Sequence, residues 1–126
     1  MESNIDKYIL IVEDSSDLRA LLREFFEGEG FNIRLASNGQ EALDLLKTTK
    51  TLPSFILLDL MMPIMDGYTF REEQRRDQRF SSIPVVVMTA DGQGEEKTKN
   101  LGVKGFLKKP INDVDDLIKT AMKFCF

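Results

Sequence analysis

Histidine and tryptophan are absent from the 126-residue chain, and cysteine occurs only once. The missing histidine excludes Ser/His and Cys/His nucleophile pairs, and every histidine-containing metal site, in one step. The single cysteine, Cys125, leaves no internal disulfide to staple the fold. With no signal-peptide or membrane-spanning pattern either, the expected compartment is the cytoplasm. An excess of positive charge is also lacking. The net charge is −4, whereas a nucleic-acid surface needs a concentrated basic face to neutralise phosphates. The one basic cluster, Arg71, Arg75, Arg76 and Arg79, is interleaved with Glu72, Glu73 and Asp77 and reads as a solvated helix face. Neither a G-x-x-x-x-G-K-[ST] nor a G-x-G-x-x-G phosphate loop occurs, which argues against nucleotide and dinucleotide enzymes.

What is present is a regular alternation of strand and helix patterns. Apolar and β-branched runs predict strands over Tyr8–Glu13, Phe31–Ala36, Phe55–Asp59, Ile83–Thr89 and Gly105–Lys108. Between the first two, Leu18, Leu21, Leu22, Phe25 and Phe26 recur at helical spacing after the capping candidates Ser15 and Ser16, and Gly28 and Gly30 can end the helix. Ala42, Leu45 and Leu46 give a second helix its buried face, and a third runs from about Asp66 to Asp77. A stripe through Val114, Leu117, Ile118, Ala121 and Met122 closes the chain on an amphipathic helix. A fourth helix is needed between Asp91 and Lys104, where Gly92 and Gly94 weaken helix propensity. With 42% hydrophobic residues and no repeat or linker, the chain reads as one domain over residues 1–126, its core from about 7 to 123. Near-continuous apolar strands alternating with helices imply an open parallel α/β sheet covered on both faces.

In such a sheet ligands bind beyond the carboxyl ends of the strands, where the strand order reverses. Those ends carry Glu13 and Asp14 after the first strand, Asp59 on the third, Thr89 on the fourth, and Lys108, Lys109 and Pro110 after the fifth. Two like charges 4 Å apart repel by roughly 4 kcal/mol at an effective dielectric of about 20, so three carboxylates need a cation or a proton among them. The donors are hard oxygens without thiolate or imidazole, which favours Mg²⁺ or Mn²⁺ over zinc, and a site with so few carboxylates suits Mg²⁺ best. A divalent cation beside an aspartate, a lysine and a threonine makes a phosphoryl site with the aspartate as candidate nucleophile. Adjacent residues in a strand face opposite ways, so only one of Lys108 and Lys109 reaches it.

Four segments carry a resemblance. D-L-M-M-P-I-M-D-G (Asp59 to Gly67), Glu13-Asp14, Thr89-Ala90 and G-F-L-K-K-P (Gly105 to Pro110) resemble, in order and at matching strand ends, the motifs of response-regulator receiver domains. The resemblance runs from Lys7 to about Lys123 and implies a flavodoxin-like five-stranded parallel sheet in the order 2-1-3-4-5 with five helices. It implies a signalling phosphoacceptor, not an enzyme with a separate substrate: Mg²⁺-dependent transfer of a phosphoryl group from a histidine of a sensor kinase or phosphotransfer protein onto Asp59. Glu13, Asp14, Asp59 and the backbone carbonyl of Met61 would hold the metal, Thr89 and Lys109 would assist the transfer, and the backbone at Met61 and Ala90 would face the phosphoryl oxygens. Lys109, directly before Pro110, is thereby the active lysine, and its peptide bond to Pro110 is expected to be cis. Pro63, Gly67 and Pro110 would shape the loops. Phe106 takes the place of the family's switch aromatic, often tyrosine, so any signal passes by packing alone. Output to a downstream protein or a second copy would use the fourth helix, fifth strand and fifth helix. The positions two beyond the acceptor and two beyond the threonine, Met61 and Asp91, tune phosphoryl lifetime in the family.

Competing readings fail on particular residues. A haloacid-dehalogenase-like phosphatase needs a second aspartate where Met61 stands, and an FMN carrier needs a hydroxyl-rich loop where Glu13-Asp14 would repel phosphate. A scaffold receiver that takes no phosphate would usually lack one of Asp59, Thr89 or Lys109, and all three are present.

Overall fold

The unbroken apolar runs fold as the middle of a parallel sheet because no polar face is left to meet water. The structure, a computed structural model, describes residues 7–90 and 98–125. Within them lie β1 (Ile9–Val12), α1 (Ser16–Gly28), β2 (Ile33–Ala36), α2 (Gly39–Thr48), β3 (Phe55–Asp59), α3 (Gly67–Arg76), β4 (Val85–Thr89), a 3₁₀ turn (Lys99–Leu101), β5 (Gly105–Lys108) and α4 (Val114–Cys125). The five strands pair in parallel in the order β2-β1-β3-β4-β5, as the resemblance implied. Order reverses between β1 and β3, so the chain leaves these neighbours in opposite directions and opens a crevice at their carboxyl ends.

Side-chain caps start α1, α2 and α3; Ser15 and Asp66 stand where the sequence predicts helix starts, while Asn38 is a cap not expected from the sequence. Ser15 Oγ accepts from Leu18 N, Asn38 Oδ1 from Glu41 N at 2.9 Å, and Asp66 Oδ1 from Thr69 N at 2.8 Å. The core divides by sheet face. Leu10, Val12, Ile56, Leu58, Val85 and Val87 pack under α2 and α3 through Ala42, Leu43, Leu46 and Phe70. Ile9, Ile11, Leu57, Val86 and Met88 pack under α1 and α4 through Leu22, Phe26, Leu117 and Ala121. Helices therefore cover both faces.

Several expectations change. The strands β2 and β4 start later than apolar content suggested: Phe31 N donates back to Phe26 O at the end of α1, and before β4 Ile83 N donates to Phe80 O in a turn while Pro84 has no N–H to pair. Leu21, Val114 and Met122 belong to their helical stripes by spacing yet stand exposed, while Leu43, outside the residues expected to form the buried face of α2, is buried. Of the basic cluster, Arg71 is not solvated at all. It is buried, and donates through Nε to Leu101 O at 2.8 Å, through Nη2 to Gly102 O at 3.2 Å and through Nη1 to Gln74 Oε1 at 2.8 Å. Gln74 in turn donates to Phe80 O and Ile83 O. Most of the expected fourth helix, with Asp91, Gly92 and Gly94, lies outside the described residues, and its described end is the 3₁₀ turn.

Candidate functional site

Glu13 follows β1 directly, and its N–H donates to Ala36 O at 3.0 Å, which extends the ladder and buries the side chain. Ser15 N donates to Glu13 Oε2 at 3.0 Å. Asp14 is exposed, and the chain there turns towards α1. Across the crevice, Asp59 ends β3 with 4% of its surface exposed, its Oδ1 accepting from Met61 N at 3.3 Å. One carboxylate oxygen each from Glu13, Asp14 and Asp59 lies within 4.8 Å of the others. Lys109 enters from the loop after β5, with Nζ 2.6 Å from Glu13 Oε1 and 3.4 Å from Asp59 Oδ1, while Lys108 is exposed. The choice left open by the adjacent lysines is thus resolved in favour of Lys109, and its bond to Pro110 is cis.

The charges at this edge do not balance. Burial above all, then the neighbouring Glu13 carboxylate, pushes Asp59 up from an ordinary 3.8 to about 7, against the opposing pull of Lys109 and the Met61 amide; a hydrogen bond with Asp14 adds to the rise. One ammonium faces three carboxylates. Glu13 Oε1 is buried and makes no hydrogen bond, so its contact with Lys109 is an ion pair outside hydrogen-bond geometry.

Around this centre the remaining predicted residues fall at one end of the sheet. Thr89 is the buried last residue of β4, and its carbonyl accepts from Lys109 N at 2.9 Å. In register, Thr89 pairs with Lys108 and Val87 with Phe106, so Thr89 and the half-buried Phe106 project to the same sheet face. Ala90 is exposed just beyond. Gly67 N donates to Leu60 O at 3.0 Å, and a Cβ there would overlap the Asp59 carbonyl oxygen and sit 2.8 Å from Leu60 Cα. Glycine is required at that position by close approach. Pro63 precedes Ile64, whose φ of 69° is unusual for a β-branched residue, and the side chains of Met61 and Ile64 stand in solvent. Met62 packs against the core.

A model of the response regulator receiver domain matches residues 9–122. The chain belongs to that family. Response regulator Rre1 of Synechocystis is 39% identical over 112 residues, covering 86% of this chain and 47% of the relative. The receiver domain spans about half the length of the first curated relatives it matches. Among solved structures it resembles the receiver domain of a signal transduction histidine kinase from Syntrophus aciditrophicus, with 30% identity, a TM-score of 0.82 and coverage of 94% and 89% of the two chains. Chemotaxis protein CheY4 of Vibrio cholerae is 26% identical with a TM-score of 0.81, at 94% and 97% coverage.

The receiver domain's acidic edge fits a hard divalent cation. Its donors are all carboxylate oxygens, their separation suits a shared ion, and the buried Glu13 Oε1 makes no hydrogen bond, its charge being met by the Lys109 ammonium of an ion pair that a divalent cation could displace. One residue at this edge was not read from the sequence. Arg19 Nη1 donates to Glu13 O at 2.7 Å and to Asp14 O at 3.0 Å. Its partners are backbone carbonyls, which leave no trace in residue identity; only the spacing of one helical turn from Ser15 hinted that it could reach back.

Proposed function

We propose that this receiver domain accepts a phosphoryl group on Asp59 from a phosphohistidine of a sensor kinase or phosphotransfer protein, and that it does so as a cytoplasmic signalling switch. The observation that carries the reading is the buried Asp59 facing Glu13, Asp14 and Lys109 at the switch point of the sheet. An Asp59 carboxylate oxygen attacks phosphorus, the P–N bond to the donor imidazole breaks, and the electron pair leaves with that nitrogen. Mg²⁺ held by Glu13, Asp14, Asp59 and the Met61 carbonyl would supply charge stabilisation for the phosphoryl oxygens. Lys109 supplies an ammonium within reach of the same carboxylate, and its release from Glu13 frees it for a phosphoryl oxygen. Thr89 and the backbone at Met61 and Ala90 would bind the remaining oxygens. With Asp59 pushed up to about 7, the cation-free site is half protonated near neutrality and a poor nucleophile, which supports dependence on a divalent ion.

Phosphorylation adds close to two negative charges. A hydrogen bond from the Thr89 hydroxyl to a phosphoryl oxygen would draw it inward and open space for Phe106, on the same sheet face, to rotate into. The surface so changed would comprise β5, the C-terminal helix α4 and the Lys99–Leu101 turn that precedes β5, and a downstream protein or second copy would dock there. Among the described residues no helix is long and apolar enough to cross a membrane. Incubation with a small-molecule phosphodonor and Mg²⁺, followed by intact-mass measurement, tests the acceptor. Wild type should gain one phosphoryl mass and lose the gain in excess chelator, whereas retention of the added phosphate in Asp59→Asn would overturn Asp59 as the acceptor.

A further inference from the structure

We propose that Arg19 is a positioning residue for the cation site, holding the Glu13–Asp14 backbone in the bend that lets both carboxylates meet Asp59. The inference rests on the reading of that edge as a divalent-cation site. Consecutive residues on a strand send their side chains to opposite faces and their carbonyls to opposite sides. Glu13 and Asp14 nevertheless each bring a carboxylate oxygen to within 4.8 Å of the third, so the chain must leave strand geometry between them. Arg19 Nη1 donates to both carbonyls, at 2.7 and 3.0 Å, and no regular strand offers two consecutive carbonyls to one donor. The backbone from which Arg19 reaches back is fixed, since Arg19 N donates to Ser15 O at 2.9 Å in the first turn of α1, whose cap is Ser15. The Ser15 amide completes the frame by donating to Glu13 Oε2.

Charge and position predict opposite signs. As a mere positive charge near a divalent cation, Arg19 repels it, and its removal should tighten binding. As a clamp on the ligands, its removal should weaken binding; loss of such outer partners typically costs about 10–100-fold in metal affinity. Titration of the unphosphorylated full chain with MgCl₂, followed by amide NMR shifts, separates the two without recourse to phosphorylation. Arg19→Ala should raise the Mg²⁺ Kd by about 10–100-fold. Arg19→Lys, which keeps the charge but loses the fork, should fall between Arg19→Ala and wild type. Arg23→Ala, one turn further along the exposed face and paired with Glu27, should bind as wild type does. In the metal-free spectra, changes in Arg19→Ala should stay near residues 12–20 and 36–41. An unchanged or lower Kd in Arg19→Ala would overturn the proposal, as would an Arg19→Lys variant indistinguishable from wild type; the latter decides the matter should the alanine variant fail to fold. Absence of Mg²⁺ binding by wild type would instead defeat the cation site itself.

Discussion

Replacing Asp59 with asparagine in the cation-free protein should stabilise it at neutral pH and leave it unchanged in acid. The side chain is 4% exposed, and burial with the Glu13 carboxylate beside it raises the carboxyl from 3.8 to about 7. Between those two values the folded protein holds a proton that the unfolded chain has released, so stability falls as pH climbs from about 4 to 7 and stays at its lower value above that. At about 1.4 kcal/mol per tenfold, the full penalty is roughly 4 kcal/mol; structural relaxation and water penetration at the crevice make this an upper figure, so about 2–4 kcal/mol is expected. Asparagine keeps the shape and removes the charge. Urea unfolding followed by far-UV circular dichroism, in chelator at steps from pH 4.5 to 8, gives the difference between variant and wild type, in which the titration of other carboxylates largely cancels. That difference should be smallest at the acid end, where about a quarter of the full effect is present at pH 4.5, and should favour Asp59→Asn most at pH 8. Mg²⁺ at 100 times its Kd should return about 2.7 kcal/mol to wild type at pH 8. A difference that is flat or of opposite sign between pH 5 and 8 would refute the electrostatic account of Asp59.

Two further outcomes follow from the geometry. Thr89→Ala should still take the phosphate mimic beryllofluoride on Asp59, but with amide shifts across Leu101 to Leu117 smaller than in wild type, because a hydrogen bond to a charged group is worth about 1.5–3 kcal/mol and that is the most it can contribute to the switch; equal shifts would exclude the coupling. Gly67→Ala should lower stability by about 1–3 kcal/mol through overlap with the Asp59 backbone. A shifted urea midpoint with unchanged slope would show it, and a variant as stable as wild type would mean that the loop yields freely.

The legible parts of this protein are those where residue type and position share one cause. An apolar run followed by a carboxylate marks both a buried strand and its functional end, so Asp59, Glu13 and Thr89 were found together with the strands that carry them. Spacing on a helix is less informative at its margins: Leu21 and Met122 lie near the edge of an apolar stripe, and whether such a residue is covered depends on what packs above it. Arg71 was misread because charge normally predicts solvent, and its partners are carbonyls some thirty residues away in the chain. Arg19 escaped notice for the same reason, its hydrogen bonds being addressed to the main chain. Residue type does not distinguish Lys108 from Lys109; the contacts of Lys109 with Glu13 and Asp59 do.

Arg71 has a mechanical consequence. An arginine stays protonated even when burial pushes its pKa down, and here peptide carbonyls and an amide oxygen take the part that water would play. Were the Leu101–Gly102 turn to lift away from α3, an ion would be left in an apolar interior without solvation, a cost of several kcal/mol. Helix and turn are therefore tied together by this one side chain. The same helix begins at Gly67, pressed against the Asp59 carbonyl, and the same turn leads through Val103 and Lys104 into β5, where Phe106 sits. Acceptor, helix, turn and aromatic thus lie along one run of contacts, from the Asp59 carbonyl through α3 and Arg71 to the residues that lead into β5.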